Sequence, residues 1–253
     1  MKIARFVWQE EERYGLIEGN EVYLLEGDLF GAFERGQRVG TLAEIRLLAP
    51  CTPSKIVAVG RNYADHASEM ESDVPSEPLI FLKPPSAVIG PGESIVYPPI
   101  SQRVDYEAEL AAIIGRRARN VSAEEALDFV LGYTCGNDVT ARDLQSKDGQ
   151  WTRSKSFDTF CPLGPWIVTD LKPNDLAIEC RVNGAVKQKS STRQMVFPVA
   201  ELIRFITQVM TLEPGDVIMT GTPAGVGPLY PGDRVEVEIE GIGVLENVVV
   251  LHE

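Results

Sequence analysis

The chain is poor in histidine, in paired cysteine and in positive charge, and each shortage excludes a class of function. Its 253 residues hold two histidines, His66 and His252, so any imidazole chemistry must use one of them. Its four cysteines, Cys51, Cys135, Cys161 and Cys180, form no C-x-x-C pair and match no zinc spacing. They read as core residues of a reduced, cytoplasmic protein. No stretch approaches 18 uncharged apolar residues, which excludes a membrane-spanning helix. The N-terminal MKIARFVWQEEERYG lacks the apolar run of a signal peptide. Lysine and arginine number 24 against 37 aspartates and glutamates, a net charge of −13. Such a surface repels phosphates and anionic lipids, so nucleic acid and membrane are discounted as partners. An acidic protein that handles an acidic substrate must attract it locally, with a metal ion or a few placed cations.

The composition is otherwise that of an ordinary globular protein, 44% hydrophobic and 24% charged. The length suits one large domain with a small one attached. Residues 1–50 read as a small β unit: KIARFVW alternates, YGLIEG and NEVYLL form a hairpin turning near Gly19-Asn20, and DLFGAFERG is expected as a short helix. Pro50 and Pro53 mark the connection to a domain spanning 51–253. There, KIVAVG, PLIFLKP, YEAELAAIIG, LGYTCGNDV, GDVIMTG, DRVEVEIEG and GVLENVVVL read as strands. NYADHASEM and the start of TARDLQ read as helical, as does AEEALDFV behind a Ser122/Glu125 capping box. VFPVAELIRFITQVM has the clearest 3.6-residue period. The pattern is mixed and β-rich, an α+β arrangement without the regular alternation of a doubly wound fold.

Chemistry concentrates at a few points. Glu107 and Glu109 are two apart, so on a strand both side chains leave the same face, the one that continues with Ala111 and Ile113. Two buried carboxylates repel and are costly to desolvate, and a bound cation relieves both problems. Alternatively, the Glu end of the strand protrudes into solvent. Asp138, ending the next long strand, can complete an oxygen set for a hard ion such as Mg²⁺, Mn²⁺ or Ca²⁺. It can equally cap the helix that follows, a role open to Thr140 as well. Lys155 is either a charge facing an oxyanion or a surface lysine. Arg142 and Gln145 share a helix face, to bind substrate or to meet water. The loop TGTPAGVG can hold a carboxylate with backbone N–H groups and the Thr222 hydroxyl, or be a simple turn. His66 and Glu69 are helix neighbours; such a pair can activate water, or be a surface contact of no consequence. The acidic EMESDVPSEP after them suits a lid.

Taken in order, GRNYADHASEM, PLIFLKPPSAVIGPG, DYEAELAAIIG, GYTCGNDVTARDLQ, TRSKSFDTFCPLGPW, RVNGAVKQ and LEPGDVIMTGTPAGVGPLYPGD resemble the fumarylacetoacetate hydrolase family, over residues 55 to about 235. The first 50 residues look like the small N-terminal domain of many bacterial members. The resemblance implies a β-sandwich roll, usually as a homodimer. It implies Glu107, Glu109 and Asp138 as ligands of Mg²⁺ or Mn²⁺, and Lys155 with the His66–Glu69 dyad as catalytic. Arg142, Gln145 and Thr222 would be the substrate contacts. The implied substrate is a small enolisable 2-oxo or dicarboxylic acid of aromatic or carboxylic acid catabolism. The reaction would be 2-hydroxyhepta-2,4-diene-1,7-dioate isomerisation or acylpyruvate hydrolysis. Alternatives are an oxaloacetate decarboxylase or tautomerase, a metal-dependent aldolase, and a non-catalytic metabolite-binding protein.

Overall fold

The computed structural model describes residues 1–70 and 73–252. Most regular structure is β. A large mixed sheet runs, in spatial order, Phe33–Thr41, Glu21–Gly27, Glu11–Glu18, Lys2–Trp8, Cys161–Val168, Val130–Asn137, Ala108–Ile114, Val217–Met219, Ile56–Gly60 and Leu79–Lys83. Neighbours along this path pair antiparallel, except that Val217–Met219 lies parallel to Ile56–Gly60. The N-terminal hairpins join the rest through the pairs Lys2↔Val168 and Ile3↔Ile167, so one sheet runs on from them into the larger part of the chain. A second sheet, Ala185–Ser191, Ala177–Val182, Arg234–Ile239, Gly243–Leu251 and Ser94–Tyr97, faces the first.

The two faces of the Ala108–Ile114 strand explain why the core forms here. Leu110, Ala112 and Ile114 pack in one cluster with Ile178, Val235, Val237 and Leu245 of the second sheet. Ala111 and Ile113 pack on the opposite side with Ile56, Leu163, Ile167 and Met219. A strand covered on both faces loses its alternation of polar and apolar residues. Four α-helices occur among the described residues: α1 (Ala64–Glu69), α2 (Arg142–Asp148), α3 (Thr152–Lys155) and α4 (Val199–Val209). In α4, Val199, Leu202, Ile203 and Ile206 form the buried stripe that its periodicity anticipates.

Three local expectations are corrected. DLFGAFERG is no helix. Asp28 accepts the Phe30 N–H at 3.0 Å and closes a turn, after which Phe33–Thr41 pairs with Glu21–Gly27. Pairing with a strand already in place overrides the weak helical spacing. In AEEALDFV the Ser122–Glu125 contact forms, at 3.1 Å, but only a single 3₁₀ turn, Ala126–Phe129, follows before the chain enters Val130–Asn137. YEAELAAIIG is not one strand but two, Val104–Tyr106 and Ala108–Ile114, interrupted at Glu107. The hairpin at Gly19-Asn20 is as expected, with Glu18 paired to Glu21.

Candidate active site

Strand register creates the acidic centre. Ala108 pairs with Asn137 and Glu109 with Gly136, so one step further Glu107 comes beside Asp138. The Asp138 N–H donates to the Glu107 carbonyl at 2.9 Å, and the Glu107 N–H donates to Asn137 Oδ1 at 2.9 Å. Carboxylate oxygens of Glu107, Glu109 and Asp138 lie within 4.8 Å of one another. All three residues are buried, Glu107 at 4% exposure, which excludes a solvent-facing strand end. Asp138 is not a helix cap. Ala141 occupies the N-cap position of α2 without a side-chain bond, and the Thr140 hydroxyl donates to the Asp138 carbonyl instead.

Cations surround two of these acids. Lys155 Nζ bridges Glu107 Oε2 at 2.8 Å and Asp138 Oδ2 at 2.6 Å. It is 2% exposed, not a surface lysine, and it lies over the Phe81 ring at 5.2 Å. Lys83 donates to Asp138 Oδ1 from a fully buried position. Arg142 donates to Glu107 Oε1, to Asp105 Oδ2 at 3.0 Å and to Gln145 Oε1 at 2.7 Å. Glu109 has no cation against it among the described residues; its Oε2 accepts the Gly221 N–H at 2.8 Å.

The electrostatics follow from this unequal sharing. Burial pushes the Glu107 carboxyl up, but Lys155 and Arg142 outweigh it and hold the group well below the usual carboxylate range. Burial also raises Glu109, and the neighbouring Asp138 and Glu107 raise it further, so its protonation lies well above the ordinary range. Burial would lower Lys155, yet Asp138 and Glu107 keep it charged. Glu109 is therefore the one acid of the three with no ion pair among the described residues, at a point where three oxygens converge. That donor set, all oxygen and buried, fits a hard divalent cation.

The site opens into a cavity of about 250 Å³ lined by the three acids together with His66, Arg142, Gln145, Lys155 and Thr222. All the candidate metal, catalytic and substrate residues of the sequence line it except Glu69, which stands behind His66. Glu69 Oε2 is 3.2 Å from His66 Nδ1, and its carboxylate accepts the Gly225 N–H at 3.0 Å. Phe81 and Trp151 form an edge-to-face wall, centroids 5.2 Å apart. Gly60 makes room for it: a Cβ there would lie 2.4 Å from the Trp151 ring. Gly221 is equally constrained. Its φ is +96°, and a Cβ would lie 2.7 Å from that of Asn62. Met70 also lines the cavity, whereas Glu71 and Ser72 of the expected lid lie outside the described residues.

Sequence reasoning missed Lys83, Asp105 and Gln188. Lys83 ends an apolar strand, where a lone lysine was a usable signal. Asp105, two residues before Glu107, is fully buried and holds both Arg103 and Arg142. Gln188 ends the RVNGAVKQ stretch of the family resemblance, but its local pattern, AVKQKSS, is that of a solvated edge; it is fully buried.

Residues 55–250 match the family model described as fumarylacetoacetate (FAA) hydrolase C-terminal, and residues 1–50 match one described as Rv2993c-like, N-terminal. An uncharacterised protein of Methanocaldococcus jannaschii is 57% identical over 84% of this chain and 89% of its own length. The mitochondrial oxaloacetate tautomerase FAHD2A of Bos taurus is 51% identical over 82% of this chain and 70% of its own length. Among solved structures, 5-carboxymethyl-2-hydroxymuconate delta-isomerase of Mycobacterium smegmatis superposes with a TM-score of 0.94 at 47% identity, covering both chains completely. Maleylpyruvate hydrolase of Sphingobium sp. SYK-6, in complex with manganese(II) and pyruvate, superposes at 0.83 with 33% identity, again over both whole chains. On sequence and fold alike, the chain is an enzyme of the fumarylacetoacetate hydrolase family.

Proposed function

We propose that the protein is a divalent-metal-dependent isomerase or tautomerase that shifts a proton within a small enolisable 2-oxo acid. The observation that carries this reading is the buried oxygen trio of Glu107, Glu109 and Asp138, within 4.8 Å of one another, in which Glu109 has no ion pair among the described residues. A Mg²⁺ or Mn²⁺ ion held by these three residues would supply Lewis-acid charge to a developing enolate oxygen.

The chain's own residues do the rest. Lys155 keeps a positive charge beside the position where negative charge develops. Arg142, pinned by Asp105 and Glu107, presents Gln145 toward the cavity and with it orients the substrate's polar end. Glu69 is fixed by Gly225 and receives the His66 Nδ1–H, which leaves Nε2 free to take and return a proton. The Phe81–Trp151 wall excludes water from one side. The same dyad activating water would give acylpyruvate hydrolysis, for which the manganese- and pyruvate-bound maleylpyruvate hydrolase is the supporting likeness. Isomerisation is favoured by the higher identity to proteins named isomerase or tautomerase, at 47% and 51%, against 40% and 33% for two structures named hydrolase.

A product-resolved assay decides between them, with enol-oxaloacetate, 2-hydroxyhepta-2,4-diene-1,7-dioate and an acylpyruvate, each with Mg²⁺ and with EDTA. Metal-dependent conversion of either of the first two to its isomer supports the proposal. Cleavage of the acylpyruvate alone replaces it with the hydrolase, and binding of all three without turnover replaces it with a metabolite-binding protein.

A further inference from the structure

We propose that Gln188 is a positioning residue that orients the Thr222 hydroxyl to donate a hydrogen bond to a carboxylate or enolate oxygen of the substrate. The inference rests on the reading of the cavity as a site for a small 2-oxo acid.

Gln188 reaches Thr222, behind the cavity wall, from the opposite sheet. It lies in the Ala185–Ser191 strand, beside an irregularity in that strand's pairing with Ala177–Val182, and is fully buried. Two backbone groups fix which way its amide faces. Its Oε1 accepts the Ala108 N–H at 2.9 Å, and only an oxygen can do so. Its Nε2 donates to the Pro223 carbonyl at 2.8 Å, and only the NH₂ can do so. A flipped amide would face a donor with a donor and an acceptor with an acceptor, at two buried contacts at once.

With the amide so fixed, its other N–H donates to Thr222 Oγ1 at 2.7 Å. The threonine oxygen is thus an acceptor toward Gln188. Its own proton has no acceptor among the described residues, and Thr222 lines the cavity beside Glu107 and Glu109. A hydroxyl can otherwise donate or accept as its ligand requires. Here one lone pair is taken by Gln188 and the proton has no protein acceptor among the described residues, so the hydroxyl is set to donate to an oxygen anion. Ala108, whose N–H Gln188 also holds, separates Glu107 from Glu109, so one side chain ties the substrate contact to the strand of the acids.

The test is calorimetric titration of pyruvate into the Mn²⁺-loaded protein, for wild type, Gln188→Met, Thr222→Val and the double variant, with Mn²⁺ affinity measured separately for each. Either single change is expected to weaken pyruvate by about tenfold, the worth of one hydrogen bond to a charged group. The double variant should bind no more weakly than Thr222→Val alone, and Mn²⁺ affinity should stay within about twofold. Thr222→Ser should keep near-wild-type affinity and remain sensitive to Gln188→Met. Multiplying losses in the double variant would overturn the proposal, as would a fall in Mn²⁺ affinity matching the fall for pyruvate. Should Gln188→Met not fold, Gln188→Glu keeps the acceptor for Ala108 and removes both donors, and is compared with Thr222→Val in the same way. Wild-type protein that binds Mn²⁺ but no pyruvate overturns the 2-oxo acid reading, and this proposal with it.

Discussion

The N-terminal hairpins and the acidic centre use the same ion-pair chemistry in opposite surroundings. On the hairpins, Arg13 meets Glu11, Arg35 meets Glu18 and Arg38 meets Glu21, each pair with both side chains more than a third exposed. At the centre, Lys83, Lys155 and Arg142 meet Asp138, Glu107 and Asp105 with no side chain above 9% exposure. Water screens the first set, and each pair contributes little. The second set has given up its hydration, so every charge there depends on its partners. The charges of these three exposed pairs are therefore exchangeable, whereas at the centre removing one group leaves its buried partners without theirs.

That contrast can be broken or sharpened by substitution. The largest effect is expected for Glu107→Ala, which should abolish both Mn²⁺ binding and turnover, as read by calorimetry and by the substrate assay. His66→Ala should lower turnover by about 10²–10⁴-fold, the usual worth of a positioned acid–base group, while sparing Mn²⁺ affinity. Equal loss of metal in both variants would mean that the two residues do not divide their roles. Lys83→Met should destabilise the fold by about 3–5 kcal/mol in denaturant unfolding, because Asp138 loses one of its two buried partners. Glu109→Gln should act with the opposite sign. It keeps the acceptor for Gly221 and removes the one carboxylate without a cation, so the metal-free protein should gain about 1 kcal/mol and lose its stabilisation by Mn²⁺. A destabilised Glu109→Gln would show that the trio is already balanced. The smallest change is expected for Arg13→Gln on the exposed hairpin, within about 0.5 kcal/mol of wild type.

The same contrast bears on how far the site could be read in advance. Glu107, Glu109 and Asp138 were legible because carboxylates in an apolar strand break a pattern. Lys155, Arg142 and His66 stood in short polar motifs that kept their surface readings open, and burial closed those readings. Gln188 sits in a run of lysines and serines that gives no hint of the interior, since nothing local shows that the opposite sheet closes over it.

The sequence by itself determined the strand periods, the long helix α4, the hairpin at Gly19-Asn20 and the residue types from which an oxygen site can be built, because these depend on neighbours a few positions apart. Only the tertiary structure decided that Phe33–Thr41 is a strand, that Lys83 and Lys155 divide the two oxygens of Asp138, that Glu109 has no ion pair among the described residues, and that Gln188 sets the direction of the Thr222 hydroxyl. Each of these depends on residues brought together from distant parts of the chain, and on the loss of water that makes a buried charge or hydroxyl answer to its partners alone.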